Sequence, residues 1–152
     1  MQKIIPKRVL GIDYGMSRIG LAISDERQII AMPLRVVKAE KRSQETIKNL
    51  LEALGEISLT YQCEIIEIII GLPLMMSGKV GFQADEVKNF ICLFSEKSPI
   101  PVKTWDERLT TVQAERALSE SSLSRKKRSK LVDTVSATII LQSYLDTKQF
   151  FL

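Results

Sequence analysis

The chain has 152 residues, a hydrophobic fraction of 45%, a charged fraction of 26% and a formal net charge of +4. A chain of this size forms one domain with its own core, so we expect a single domain over residues 1–152. The composition is ordinary for a globular protein and argues against disordered and fibrous classes. The apolar runs are shorter than the roughly 20 residues of a membrane helix, and the N-terminus has no pattern of a secretory signal.

The sequence contains no histidine, and this absence restricts the possible chemistry. It excludes Ser-His-Asp and Cys-His hydrolase sites, histidine-dependent nucleases and histidine-bearing zinc sites. The two cysteines, Cys63 and Cys92, have no ligand spacing and are typical of reduced core residues in a cytoplasmic protein. Hydrolysis by this chain would therefore depend on carboxylates, lysine, hydroxyl groups or a metal ion held by oxygen ligands.

The first part of the sequence predicts three consecutive strands. Residues 8–14 and 18–25 form a predicted hairpin, joined by a four-residue turn that contains Gly15. A third strand is predicted at 29–37, where Pro33 favours an edge strand or a bulge. Three strands in direct succession favour an antiparallel arrangement.

The remainder of the chain alternates predicted helices and strands. An isoleucine-rich run, CEIIEIIIGLP at 63–73, is typical of a buried central strand. The other predicted elements are a helix at 43–58 with Ser43 as its N-cap, a helix at 83–95, a strand at 102–106, a helical segment from Thr110 and a last helix at 127–146. Strands separated by helices need right-handed crossovers, so the sequence predicts a mixed sheet with helices on both faces.

Asp13 is an unexpected carboxylate at the end of a strand that is otherwise apolar. Strand alternation places Val9, Gly11 and Asp13 on one face. A hairpin closed over residues 14–17 would place Asp13 opposite Arg18. The other residues predicted on this face are small and would let another element or a substrate approach closely: Gly11, Gly20, Ala22 and Ser24. A purely structural alternative is an Asp13–Arg18 pair or a turn cap.

Asp133 is a second carboxylate in apolar surroundings. By helical periodicity it shares one side of the last predicted helix with Ala137, Ile140 and Tyr144. Residues 131–145 are apolar on nearly all sides, which predicts burial against the sheet. An isolated ionised carboxylate there would cost several kcal/mol, so Asp133 needs a cation, a proton or a metal ion.

A third acidic feature, DERLTT at residues 106–111, follows the last predicted strand. The three acidic positions can converge in a sheet of this order. Clustered carboxylates repel one another unless divalent cations neutralise them. Oxygen ligands suit Mg²⁺ or Mn²⁺, and two such ions about 3.5–4 Å apart are a common arrangement for phosphodiester hydrolysis.

A basic segment precedes Asp133 and places five positive charges in six positions: Arg125, Lys126, Lys127, Arg128 and Lys130. It is interpreted either as a solvated loop or helix start, or as a binding surface for the phosphates of nucleic acid. Arg18 and Arg108 lie next to acidic candidates in the sequence. Each would either hold the scissile phosphate or neutralise its acidic neighbour.

Four blocks of the sequence resemble the YqgF family of RuvC-like proteins. They are GIDYGMSRIGLAISD, GLPLMMSGKVGFQA, DERLTTVQAE and DTVSATIILQSYL, and the resemblance covers about residues 8–145. It implies an α/β, RNase H-like fold with a five-stranded mixed sheet in the order 3-2-1-4-5 and helices on both faces.

The resemblance also implies a function and a site. It implies a cytoplasmic nuclease that matures the 5′ end of the 16S rRNA precursor, with Asp13, Glu107 and Asp133 as its acidic site. Together with the argument on clustered carboxylates, this predicts that the three residues are catalytic ligands of Mg²⁺ or Mn²⁺. The choice of Glu107 over Asp106 rests on the resemblance, because strand parity leaves their faces open. Two alternatives remain, a Holliday junction resolvase that acts on branched DNA and an inactive nucleic-acid-binding module. The expected oligomeric state is a monomer or a weak homodimer.

Overall fold

The structure is a computed structural model that describes residues 2–15, 17–72, 82–106 and 125–150, without the side chains of 82–84, 125–133 and 150. The described elements are, in chain order, β1 (Lys7–Tyr14), β2 (Arg18–Ser24), β3 (Ala31–Lys38), α1 (Ser43–Thr60), β4 (Glu64–Leu72), α2 (Phe82–Lys97), β5 (Val102–Asp106) and α3 (Arg125–Phe150). The helical segment predicted from Thr110 lies outside the described residues. No helix in the described ranges has the length and apolar character needed to cross a membrane.

The described strands form one five-stranded sheet in the order β3-β2-β1-β4-β5. β2 pairs antiparallel with β1 and β3, whereas β4 pairs parallel with β1 and β5. This arrangement confirms the predicted mixed sheet and its 3-2-1-4-5 order. The parallel pairs require crossover connections, which is why helices separate these strands in the sequence.

The two faces of the sheet carry separate apolar cores because side chains alternate along each strand. On one face, Leu10 and Ile12 of β1 pack in a cluster with residues of α1 and α2, including Phe90. On the other face, Val9 packs in a cluster with residues of α3, including Leu141. Helices therefore cover both faces, as predicted. The face under α3 is called the α3 face below.

The register of the β1–β2 hairpin differs from the prediction. Asp13 pairs with Gly20 rather than with Arg18, because the pairing of β1 with β2 extends to Tyr14 and Ile19 and leaves residues 15–18 between the last paired residues. A Cβ atom added to Gly15 would lie 2.5 Å from the Arg18 carbonyl oxygen, so the tight turn requires glycine. The predicted opposition of Asp13 and Arg18 is wrong, whereas a connection of four residues that contains Gly15 is confirmed one position later in the chain. The shift is by two residues, which keeps Asp13 on the predicted face.

The strand that contains Pro33 lies at the edge of the sheet, as predicted. Pro33 pairs with Ala22, and the β2–β3 pairing shifts register between Gly20 and Ala22. An edge strand accommodates proline because one side of the strand has no partner that requires its missing N–H.

The start of α1 differs slightly from the prediction. Ser43, the predicted N-cap, is the first helical residue, and Arg42 occupies the cap position without a side-chain hydrogen bond. The chain entering the helix is held instead by Thr46, whose buried Oγ1 accepts a hydrogen bond of 2.8 Å from the Glu40 N–H.

Gly11 determines how closely α3 approaches the sheet. A Cβ atom at this position would lie 2.7 Å from Cβ of Leu141 and 3.0 Å from the Ala137 carbonyl oxygen. Real Cβ atoms do not approach other atoms so closely, so the helix contacts β1 only because residue 11 is a glycine. The small residues predicted to allow a close approach therefore admit α3.

Candidate active site

Asp13 is a half-buried carboxylate near the C-terminal end of β1. Its neighbours at Ile12 and Tyr14 point to the core under α1 and α2, whereas Val9 and Gly11 contact α3. Alternation along the strand therefore places Asp13 on the α3 face. This position agrees with the prediction from the sequence.

Glycines flank Asp13 on both neighbouring strands. Gly20 pairs with Asp13 in β2. In β4, Ile70 pairs with Ile12, so Gly71 follows beside Asp13. Both glycines are buried, and with no Cβ atom at either position neither β2 nor β4 places a side chain next to the carboxylate on the α3 face.

The direction of α3 determines which of its residues reach the Asp13 end of the sheet. Ala137 and Leu141 lie over Gly11, whereas Tyr144 hydrogen-bonds Glu67, which pairs with Val9. The helix therefore runs antiparallel to β1, and its earlier residues approach the end of β1 that carries Asp13.

Backbone position 133 lies one helical turn before Ala137. From Ala137 to position 133 the helix advances about 6 Å, and from Gly11 to Asp13 the strand advances about 7 Å in the same direction. The two acidic positions thus lie at the same end of the α3 face. The side chain of Asp133 is outside the described residues.

The contacts of the β5 side chains show which of them lie on the same face of the sheet as Asp13. Lys103 contacts Tyr144 of α3, and Trp105 packs against the apolar cluster that Val9 forms with α3. Both side chains therefore lie on the α3 face. Val102 packs against the opposite core. Alternation then places Asp106 on the face opposite Asp13. Glu107, the predicted ligand, and Arg108 lie outside the described residues.

The predicted basic residues fall into two groups. Arg18 is the first residue of β2. It shares the α3 face with Gly20 and Ala22, because side chains two residues apart in a strand lie on the same face, and it is diagonal to Asp13. Asp13 and Arg18 each interact with other groups of the protein. The five cations of the basic segment, Arg125, Lys126, Lys127, Arg128 and Lys130, form the first turns of α3, and their side chains are outside the described part of the chain.

The side chains that the structure describes include no group of three carboxylates, cysteines or histidines able to hold a metal ion. Two of the three predicted ligands, Glu107 and the Asp133 side chain, lie beyond that part of the chain. The described share of the candidate site is therefore Asp13 with its two glycine neighbours and Arg18.

A second polar cluster lies on the α3 face near the start of β1, and sequence reasoning missed it. Glu67 accepts a hydrogen bond from the Tyr144 hydroxyl. Its Oε2 lies 2.8 Å from Nζ of Lys103, and its Oε1 lies 3.7 Å from Nζ of Lys148. The signal was present, because Glu67 interrupts the isoleucine-rich strand as Asp13 interrupts β1.

The pKa values in this cluster follow from its contacts. Burial alone raises the pKa of Glu67, but hydrogen bonds from Lys103 and Tyr144 outweigh it and leave the pKa below its ordinary value. The hydrogen bond to Glu67 raises the pKa of Lys103. Burial, followed by the contact with Glu67, raises the pKa of Tyr144. At neutral pH Glu67 is thus a carboxylate, Lys103 an ammonium group and Tyr144 a neutral phenol.

We expect Glu67→Gln to lower the free energy of unfolding by about 1–2 kcal/mol at pH 7, because the charged hydrogen bonds to Lys103 and Tyr144 are lost. The folded-state pKa of Glu67 is depressed, so its contribution is complete above the ordinary value of 4.5 and disappears as the pH falls through the folded pKa. Urea unfolding of both chains at pH 7 and at acidic pH measures this.

The matched control for Glu67→Gln is Glu56→Gln, which removes an exposed pair with Arg35. An exposed ion pair contributes at most about 1 kcal/mol, so the control should change stability little at either pH. A difference between wild type and Glu67→Gln that stays constant down to acidic pH would contradict the assigned ionisation.

The sequence of the chain is similar to a known protein family and to two named proteins. The sequence model of a family described as "RuvX: Holliday junction resolvase" matches residues 7–147. A protein of Protochlamydia amoebophila, named "putative pre-16S rRNA nuclease", is 66% identical over 143 residues, which cover 94% of this chain and 95% of the relative. A protein of Clostridium acetobutylicum with the same name is 45% identical over 140 residues, covering 92% and 98%.

The fold is also similar to that of a solved structure, "T. thermophilus RuvC in complex with Holliday junction substrate". The TM-score is 0.53 at 14% sequence identity, and the match covers 94% of this chain and 96% of that chain. At this level of identity the likeness concerns the fold alone, and it agrees with the RNase H-like architecture predicted from the sequence.

Proposed function

Because the chain belongs to the RuvX family, we propose that it hydrolyses phosphodiester bonds and processes the 5′ end of the 16S rRNA precursor. The family membership confirms the resemblance to the YqgF family and supports the nuclease function predicted from it. The choice of RNA as the substrate follows the names of two relatives, which are 66% and 45% identical to this chain.

The observation that carries the proposal is the position of Asp13. A carboxylate is unusual on an otherwise apolar strand, and its neighbours in β2 and β4 are the buried glycines Gly20 and Gly71, which place no side chain beside it. A half-buried carboxylate without a side-chain neighbour on these two strands suits an oxygen ligand for a hard cation.

The proposed second and third ligands are Glu107 and Asp133. Position 133 of α3 belongs to the end of the helix that approaches the Asp13 end of β1. Lys103 and Trp105 share the α3 face with Asp13, which favours the residue two positions after Trp105 over Asp106.

These residues fit a divalent cation, since the proposed ligands are carboxylates only and the sequence has no histidine. When bound, a pair of Mg²⁺ or Mn²⁺ ions would supply water activation and would stabilise the charge that develops on the phosphate and the leaving 3′ oxygen. Asp13, Glu107 and Asp133 would hold the cations.

The proposed roles of the basic residues concern substrate binding. Arg18 shares the α3 face with Asp13 and would orient the scissile phosphate, together with Arg108 from the segment after β5. The five cations that begin α3 would neutralise backbone phosphates farther from the reaction. They precede position 133 directly, so a strand held there would pass close to the proposed ligands.

A substrate comparison tests the proposal directly. The purified chain is incubated with a transcript of the 5′ region of the 16S rRNA precursor or with a four-way DNA junction, at equal salt. We expect Mg²⁺-dependent shortening of the RNA and no product with a chelator, because the carboxylate site depends on the cation.

Two other results would contradict the proposed substrate or activity. Cleavage of the junction with intact RNA would favour the branched DNA that the family description names. Binding of both substrates without product at any metal concentration would indicate an inactive nucleic-acid-binding module.

A further inference from the structure

A cleft of about 780 Å³ opens at the C-terminal end of α3, between this helix, β5 and the β2–β3 turn. Arg27, Lys103 and Lys148 line it, and the described lining residues include no carboxylate. We propose that this cleft, called the α3 cleft, binds a backbone phosphate of the substrate strand a few nucleotides from the scissile bond. The identity of the polymer rests on the proposed nuclease function.

Glu67 positions both lysines of the α3 cleft. Its carboxylate lies 2.8 Å from Nζ of Lys103 and 3.7 Å from Nζ of Lys148. One carboxylate balances only one of the two ammonium groups, and the side chain of Glu67 is itself only 13% exposed. The lysine side chains are 56% and 38% exposed, so an excess of fixed positive charge faces the solvent.

The α3 cleft combines these charges with apolar surface. The ring centroid of Tyr144 lies 5.7 Å from Nζ of Lys103 and 5.3 Å from Nζ of Lys148. Ile29, on the turn side of the cleft, is 40% exposed. Apolar groups beside ammonium groups suit a nucleotide, whose phosphate binds the cations while its sugar or base contacts the apolar wall.

The position of the α3 cleft relative to Asp13 fits one continuous strand. Gly71, which lies beside Asp13, pairs with Trp105, and Lys103 lies two residues earlier in β5 on the same face. Two strand spacings and two residues separate the backbones of Asp13 and Lys103 by about 12 Å. Lys148 lies 15 residues after position 133, or about 22 Å along α3. The α3 cleft therefore lies between about three and seven nucleotides of a helical strand from Asp13, at about 3.4 Å each.

Among the described elements, α3 covers the surface between the two sites less than it covers the other half of the sheet. α3 packs mainly on β1, β2 and β3, and its contacts with β4 and β5 are fewer. Trp105 lies on this less covered part, only partly buried, with its indole N–H donating to Oγ of Ser143 at 3.0 Å. A strand leaving Asp13 would cross the fixed indole ring and then reach Lys103.

The test is the binding of a single-stranded RNA of about 12 nucleotides, which exceeds the separation of the sites, by the double variant Arg27→Gln/Lys148→Gln. Lys103 stays in place so that Glu67 remains paired. Without divalent cations, we expect the dissociation constant to rise about tenfold. We also expect the slope of log affinity against log salt to flatten by about 0.7 for each phosphate that the variant no longer neutralises.

The matched control is Lys48→Gln/Lys88→Gln, which removes two exposed charges from α1 and α2 on the other face of the sheet. We expect the control to bind RNA as the wild type does, and Arg27→Lys/Lys148→Arg to retain affinity. Equal weakening by the cleft and control variants, or no weakening by either, would overturn the α3 cleft as a binding site.

Cleavage assays separate this proposal from the proposed nuclease function. If the wild-type chain cleaves RNA and the cleft variant raises KM while kcat is unchanged, the α3 cleft is supported. If the wild-type chain cleaves RNA and the cleft variant has an unchanged KM, the proposed role of the α3 cleft in binding is wrong and the nuclease function stands. If the wild-type chain cleaves nothing, the nuclease function fails, and the RNA-binding comparison still decides about the cleft.

Discussion

Asp13→Asn is expected to reduce cleavage of the RNA precursor on the order of 10³-fold, or about 4 kcal/mol in activation free energy. The asparagine side chain keeps the shape of aspartate but loses the negative charge that would hold a divalent cation. Asp13 lies at a half-exposed strand end, so the variant should fold normally. Single-turnover cleavage measures the rate, and titration with Mn²⁺ measures the expected loss of cation affinity.

The matched control for Asp13→Asn is Asp106→Asn. Asp106 ends β5, but alternation places it on the face opposite Asp13, away from the proposed ligands. We expect this control to retain activity within a few fold and Glu107→Gln to lose it. Full activity in Asp13→Asn, or equal losses in Asp13→Asn and Asp106→Asn, would contradict the proposed site.

The sequence predicted the face of Asp13 correctly for a simple reason. Side chains alternate with a period of two, so the apolar residues of β1 determine which face each residue occupies. The same reasoning failed to choose between Asp106 and Glu107, because β5 has few buried residues to mark its faces. Contacts of Lys103 and Trp105 with α3 place Asp106 on the opposite face, and Glu107, which lies outside the described residues, stays a proposal.

The pattern of apolar residues could not determine the register of the β1–β2 hairpin. A four-residue turn at residues 14–17 and one at residues 15–18 both keep the apolar residues of β1 and β2 on their faces, since the two registers differ by two residues. The choice depends on the backbone at Gly15, where a Cβ atom would meet the Arg18 carbonyl oxygen. A glycine in a turn does not by itself specify which residues the turn contains.

The partners of Glu67 are another feature that could not be predicted from the sequence. Glu67, Lys103 and Tyr144 are separated by 36 and 41 residues, and only the order of the strands brings them together. A glutamate within an isoleucine-rich strand indicates that a partner exists. It does not indicate which of the 22 lysines and arginines provides it.

Gly11→Ala is expected to lower the free energy of unfolding by about 2–3 kcal/mol, because the new methyl group overpacks the contact between β1 and α3. The added Cβ would lie 2.7 Å from Cβ of Leu141 and 3.0 Å from the Ala137 carbonyl oxygen, and neither atom moves without the helix. Urea unfolding at neutral pH measures the loss. The control is Gly55→Ala in α1, where a Cβ meets nothing within 4 Å, and about 1 kcal/mol of stabilisation is expected.

Gly11→Ala should also reduce cleavage at temperatures where the variant is fully folded. To admit the methyl group, α3 must move away from β1, and position 133 moves with it relative to Asp13. Ligands of a cation need their geometry fixed within a few tenths of an ångström, so a small displacement weakens the site. We therefore expect a lower kcat and a weaker dependence on Mg²⁺ in the folded variant. Normal cleavage by a destabilised but folded Gly11→Ala chain would show that the distance between β1 and α3 does not control the reaction.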